Sequence, residues 1–247
     1  MDHPEGGRIG SPTDNMLTQN LKICGITDPE TARFCADAGV GALGAVFFRK
    51  SPRAVTPDHA RAMFADLPRH VARVGVFVDR PVAEVIAMAR QAALDTVQFH
   101  GSEPLEDLLA AQRAGFRVIK VLKVAGDSLL KAAAALPETV GVLVECGKGT
   151  LPGGNGAVWS WAEAAPLAAL RPFALAGGLT PENIGEAARL SRAVAWDLSS
   201  GVESAPGVKN QSAILKTVKT LTDYLRQPPA PVDARRFWSA NPTPNPL

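Results

Sequence analysis

The stretch from Thr96 to Val124, TVQFHGSEPLEDLLAAQRAGFRVIKVLKV, reads as a strand, a helix and a second strand. TVQFH (96–100) and RVIKVLKV (117–124) are short apolar runs rich in β-branched residues. Between them, Ser102-Glu103-Pro104 marks a helix start, and an amphipathic stretch rich in alanine and leucine follows. A strand, a helix and a strand in that order form a βα unit, which builds a parallel sheet.

The same rhythm runs outward in both directions. The other expected strands are LKICGI (21–26), ALGAVFF (42–48), RVGVFV (73–78), VGVLVE (140–145), FALAGG (173–178) and AVAWDLSSG (193–201). Asp28-Pro29-Glu30, Thr56-Pro57-Asp58 and Thr180-Pro181-Glu182 open further helices in the same style. Eight successive units over ~200 residues favour a closed (β/α)8 TIM barrel over an open doubly wound sheet. The sequence therefore predicts one α/β barrel over residues 19–226. A polar leader (1–18) precedes it, and a proline-rich tail (227–247) follows. No internal domain boundary and no short-period repeat interrupts it.

The tail, RQPPAPVDARRFWSANPTPNPL from Arg226, is expected to be extended or disordered. Its aromatic pair, Phe237-Trp238, is the one element that could dock, for example on the barrel itself. The preferred expectation is a tail that does not.

Composition narrows the function. The chain has 247 residues, nearly half of them apolar, which is ample for a core of this size. Its net charge is only +2, with acids and bases interspersed, so no nucleic-acid groove or basic membrane surface is expected. No apolar run is long enough to span a bilayer, and the leader lacks the apolar core of a signal peptide. Cys24, Cys35 and Cys146 make an odd count without a CxxC spacing, which suggests reduced thiols in a cytoplasmic protein. Monomer and homodimer are both compatible with the sequence.

In a barrel the reactive groups stand at the carboxyl ends of the strands. Those ends carry Cys24, His100, Glu145, the Gly177-Gly178 pair and Asp197-Leu198-Ser199-Ser200-Gly201, with Arg53 in the loop after the second strand. The glycine-rich ends of strands 7 and 8, with a helix expected from Pro181, suit a phosphate monoester. Side chains alternate along a strand, so Lys22 shares a face with Cys24, and Asp197 shares one with Ser199. Strands 1 and 8 are neighbours in a closed barrel. A buried Lys22–Asp197 ion pair beneath the thiol is therefore expected, because a lone buried lysine would be too costly. His100 suits a catalytic acid or base as well as a hydrogen-bonded rim residue, and Arg53 suits a carboxylate clamp.

Together these residues resemble the phosphoribosylanthranilate isomerases of tryptophan biosynthesis. The resemblance runs from about Leu21 to Leu225. Its parts are Lys22-Ile23-Cys24-Gly25-Ile26-Thr27, Ser51-Pro52-Arg53, Val74-Gly75-Val76-Phe77-Val78, Val97-Gln98-Phe99-His100-Gly101, Gly153-Gly154-Asn155-Gly156, Ala176-Gly177-Gly178-Leu179 and Ser199-Ser200-Gly201-Val202-Glu203, followed by Gly207 and Lys209. Related barrels of histidine biosynthesis carry an aspartate at the end of strand 1, and Cys24 argues against them.

The resemblance implies an Amadori rearrangement of N-(5-phosphoribosyl)anthranilate without metal or cofactor. It places the general base on Cys24 and the carboxylate clamp on Arg53. It implies substrate contacts at His100, Gly154, Gly177, Gly178, Asp197, Ser199, Ser200 and Gly201. The family's acid is an aspartate at the end of strand 6, whereas this chain has Glu145 there. No aspartate occurs between Asp127 and Asp197, so Glu145 is assigned as the acid by position and chemical type. Its extra methylene moves the carboxyl by roughly 1 Å, a displacement that can cost about a hundredfold in rate. Glu145→Asp is accordingly expected to retain or raise activity. A second departure is Asn210, where the family usually carries an acid. Two other readings stay open: a phosphate-binding barrel of this family with lost activity, and an isomerase with a shifted substrate.

Overall fold

In a computed structural model the protein is described over residues 18–123, 127–145, 160–227 and 237–238. The expectations for the leader, Cys146, the loop carrying Gly154 and most of the tail lie outside the described residues.

Eight strands close into one barrel in chain order: β1 (Leu21–Cys24), β2 (Ala42–Val46), β3 (Ala72–Phe77), β4 (Thr96–Phe99), β5 (Arg117–Lys123), β6 (Gly141–Glu145), β7 (Ala174–Leu175) and β8 (Ala195–Leu198). Every neighbouring pair in the barrel is parallel, and β8 closes onto β1 with Lys22 opposite Asp197.

The helices are α1 (Pro29–Asp37), α2 (Pro57–Met63), α3 (Val82–Gln91), α4 (Leu105–Arg113), α5 (Ser128–Ala134), α6 (Ile184–Ser191) and α7 (Gln211–Leu225). A 3-10 segment, Trp161–Ala169, stands between β6 and β7. A small antiparallel ribbon that the sequence did not announce, β9 (Glu203–Ala205) with β10 (Val208–Lys209), follows β8.

Two helix starts match the expected chemistry. Asp28 accepts the Thr31 amide at 2.7 Å and Thr56 accepts that of His59 at 3.2 Å, each followed by a proline in the first turn. Two others differ. Pro181–Asn183 form a turn, and α6 starts only at Ile184, because Asn183 Oδ1 is drawn back to the Thr180 amide at 2.8 Å. Glu103 caps no helix. Its carboxylate accepts the Asp79 and Gly101 amides and pairs with Lys120 at 2.8 Å, tying the ends of β3 and β4 to β5.

The period of two along each strand separates two cores. Leu21, Ile23, Leu43, Phe77, Val97, Phe99, Val142, Val144, Leu175, Trp196 and Leu198 face outward into the helical shell. Ala42, Ala72, Val74, Ile119, Val121, Leu143, Ala174, Ala176 and Ala195 face the lumen. Phe237 and Trp238 pack among these lumen residues, so the aromatic pair is docked after all. No helix among the described residues is long and apolar enough to cross a membrane.

Candidate active site

Alternation along each strand fixes which side chains meet. Lys22 and Cys24 share the lumen face of β1. Gly141, Leu143 and Glu145 share that of β6, and Ala195 and Asp197 that of β8. Cys24 and Glu145 therefore look into the same end of the barrel, and both are buried.

The ion pair expected beneath the thiol is present. Lys22 Nζ donates to Asp197 Oδ2 at 2.8 Å, and Lys22 is fully buried. Burial acts against the Lys22 charge, but the Asp197 carboxylate and Cys24 outweigh it and hold the ammonium above its usual range. Asp197 also feels the charges of Glu145 and His100, so all these groups converge on one region. Its second oxygen, Oδ1, and Gln98 Oε1 are buried acceptors without a hydrogen-bond partner among the described residues.

Burial pushes the Cys24 thiol up, with Lys22 and Lys209 pulling the other way. A thiol whose pKa is raised is a stronger base once ionised. Gly44 on β2 leaves the room that its sulfur occupies, since a Cβ there would stand 2.9 Å from Cys24 Sγ.

His100 stands just past β4, and its Nε2 lies 2.5 Å from Glu145 Oε2 with both side chains buried. The structure thus brings His100 onto the candidate acid itself. Lys120 donates to the carbonyl of the next residue, Gly101, at 2.6 Å. The Lys120–Glu103 pair in this way anchors the backbone that carries the imidazole.

Arg53 occupies the rim, but one edge of its guanidinium is engaged. Nε donates to Glu203 Oε1 at 2.7 Å and Nη2 donates to Glu203 Oε2 at 2.6 Å. Lys209 Nζ donates to the same carboxylate at 2.7 Å. Burial works against the Glu203 charge, yet Arg53 and Lys209 together hold its carboxyl below the usual range. A guanidinium has five N–H donors in a rigid fork. Two of them fix its plane here against Glu203. The sequence showed Glu203 and Lys209 only as letters of a motif. Their role depends on the β9–β10 ribbon folding back over the β2 loop, which no local pattern announces.

The phosphate candidates sit where β7 and β8 end. Gly177 and Gly178 adopt φ of 87° and 69°, which L side chains rarely take. A Cβ at Gly201 would lie 1.9 Å from the Leu179 carbonyl oxygen, so the two loops touch backbone to backbone there. Ser199 donates its hydroxyl to the Cys24 carbonyl at 3.0 Å, tying the β8 loop to the end of β1. Ser200 opens a single 3-10 turn, Ser200–Val202. Asn210 replaces an acid without structural loss, because it caps α7 by accepting the Ala213 amide at 3.0 Å.

Cys35 lies in the helical shell, where burial drives its thiol up to about 12. Among the described residues no group of three or more His, Cys, Asp or Glu side chains is arranged to hold a metal ion.

Comparison with known proteins agrees with the barrel fold. The family model for N-(5'phosphoribosyl)anthranilate (PRA) isomerase matches residues 21–220. A relative from Paracoccus denitrificans, named N-(5'-phosphoribosyl)anthranilate isomerase, is 41% identical over 211 residues, covering 83% of this chain and 98% of its own. The solved phosphoribosyl anthranilate isomerase of Thermus thermophilus superposes with a TM-score of 0.76 at 38% identity, over 83% of this chain and 98% of that one. A further solved phosphoribosyl anthranilate isomerase is in complex with reduced 1-(o-carboxyphenylamino)-1-deoxyribulose 5-phosphate. It superposes with a TM-score of 0.74 at 33% identity, with the same coverage. Matched by this family model over residues 21–220 and 41% identical to a named relative, the chain belongs to the N-(5'-phosphoribosyl)anthranilate isomerase family.

Proposed function

We propose that the protein converts N-(5'-phosphoribosyl)anthranilate, an aminoaldose, into 1-(2-carboxyphenylamino)-1-deoxyribulose 5-phosphate by general acid–base catalysis. The observation that carries this reading is the convergence of Cys24 and Glu145 on one end of the lumen. Lys22–Asp197 lies beneath the thiol and His100 lies on the acid.

The steps follow from those positions. Glu145 gives its proton to the furanose oxygen, and the bond from that oxygen to C1 breaks to leave a protonated Schiff base. The Cys24 thiolate then takes the proton from C2, the C2–H electron pair forms the C1–C2 double bond, and the C1–N π pair returns to nitrogen, giving a neutral enolamine. Tautomerisation of the enolamine gives the ketose. Both groups act by proton transfer, each step being worth typically 10²–10⁴-fold. Lys22, fixed by Asp197, stabilises the thiolate as it forms. His100 holds the Glu145 carboxyl and takes up the reach of its extra methylene.

Arg53 receives the anthranilate carboxylate on its Nη1 side, with its plane set by Glu203. Gly177, Gly178, Ser199, Ser200 and Gly201 hold the phosphate through backbone N–H groups, and Gly154 is assigned a substrate contact. Asp197 Oδ1, an acceptor with no partner among the described residues, is suited to a ribose hydroxyl. No observation favours a barrel that only binds, since every acid, base and clamp position is filled by a competent side chain. Adding purified protein to freshly made phosphoribosylanthranilate tests the reading. Its fluorescence should decay faster than the spontaneous rate, and a decay equal to that without protein would refute it.

A further inference from the structure

The lumen of this barrel is unevenly filled. Such barrels are ordinarily packed by layers of bulky branched side chains. Here the floor, where the strands begin, is made of Ala42, Ala72, Ala174 and Ala195, all buried. Gly141, which opens β6, adds no side chain at all. Four alanines and a glycine leave a space of aromatic size, and dry voids of that size are rare in native cores.

Phe237 and Trp238 take that space. Trp238 is 0% exposed and Phe237 7%, and their rings meet edge to face at 5.0 Å. Polar contacts set their orientation. The Phe237 amide donates to Asn20 Oδ1 at 2.7 Å, and Trp238 Nε1 donates to the Asn20 carbonyl at 2.8 Å. The Arg117 guanidinium lies 5.5 Å from the Phe237 ring centre. Lys22 Nζ lies 5.7 Å from the Trp238 ring centre, within the range of a cation–π contact.

The same ammonium holds Asp197 and stands beneath Cys24. The indole face therefore closes the underside of the pair that the catalytic thiol rests on. Without it, water would reach Lys22 from below and compete with Asp197 for its N–H groups.

We propose that Phe237-Trp238 forms the floor of the catalytic barrel and that Trp238 is a positioning residue, fixing the Lys22–Asp197 pair under Cys24. This assigns a role to residues outside the 21–220 region that the family model matches. It rests on the isomerase reading for the function of Cys24, but not for the docking itself.

Full-length Trp238→Ala, Trp238→Leu and Trp238→Phe proteins test it. Thermal midpoints are measured with and without added indole, and kcat and KM at a temperature where each variant keeps the parental circular dichroism. Trp238→Ala should lower the midpoint by roughly 10 °C, the scale of an emptied aromatic core site in a chain of this length. Indole should bind the cavity, raise that midpoint and restore part of kcat, while leaving the parent protein unchanged. Trp238→Leu refills volume but presents no ring to the ammonium. It should lose kcat about tenfold with KM within twofold, and Trp238→Phe should recover most of the loss.

A parental midpoint in Trp238→Ala would overturn the floor. Parental kcat in folded Trp238→Leu would overturn the positioning role, also where Trp238→Ala does not fold. The midpoint and indole measurements need no substrate, so a failure of the isomerase reading is told apart from a failure of this one.

Discussion

His100 Nε2 lies 2.5 Å from Glu145 Oε2, and neither side chain is open to solvent. The carboxyl group at the end of β6 is thus held by an imidazole delivered from β4. If Glu145 is the acid, as proposed above, this contact accounts for the longer side chain: the additional methylene carries the carboxyl onto His100.

The consequence reverses the expectation drawn from the sequence for Glu145→Asp. Shortening the side chain withdraws the carboxyl by roughly 1 Å from His100, and kcat should fall by up to about a hundredfold. Glu145→Gln, which keeps the reach but loses the proton, should fall by roughly 10²–10⁴-fold. Steady-state kinetics on both variants check this, and an Asp variant faster than the parent would show that the His100 contact is not needed.

Cys24 should titrate late. Burial pushes its thiol above the ordinary range, so the thiolate forms only as pH rises past the value of a free cysteine, about 8.5. Alkylation of Cys24 by iodoacetamide, followed by mass spectrometry of its peptide, should still be accelerating with pH above that value. A rate that levels off below pH 8 would contradict the placement. Cys24→Ser should abolish most turnover with the fold intact.

The Lys22–Asp197 pair is buried, so removing one member alone should be severe. Lys22→Met leaves the Asp197 carboxylate without its cation and should cost about 3–5 kcal/mol in urea unfolding. The double variant Lys22→Met/Asp197→Asn should recover part of that loss, because no uncompensated charge remains. Equal stability of the single and double variants would argue that the pair is not coupled.

Glu203 should give the rim an acid sensitivity. Its folded carboxyl lies below the usual range, because Arg53 and Lys209 outweigh its burial. A depressed acid stabilises the fold above its unfolded pKa of about 4.3 and loses that contribution as pH falls through its lower folded value. Urea midpoints measured between pH 6 and pH 3 should therefore drop less steeply for Glu203→Gln than for the parent. The same variant frees the Arg53 guanidinium to tilt, so KM should rise more than kcat falls.

Much of the site was legible in the sequence because strand alternation is local. Reading Lys22 and Cys24 onto one face, and Asp197 onto the neighbouring strand, was enough to expect the ion pair now seen at 2.8 Å. The expected strands ran past their true ends at Gly25, Phe47, Val78, His100, Ala176 and Ser199, because no local pattern marks the point where the ladder stops.

What the sequence determined by itself was the repeating βα rhythm and the identity of the groups at each strand end, since both depend on neighbours a few residues away. The tertiary structure alone decided that His100 meets Glu145, that Glu203 orients Arg53, and that Trp238 closes the floor left open by alanines. Those contacts join residues 45, 150 and more than 200 positions apart. Only closure of the barrel brings them together, because side-chain geometry across the lumen is set by strand register and not by any local pattern.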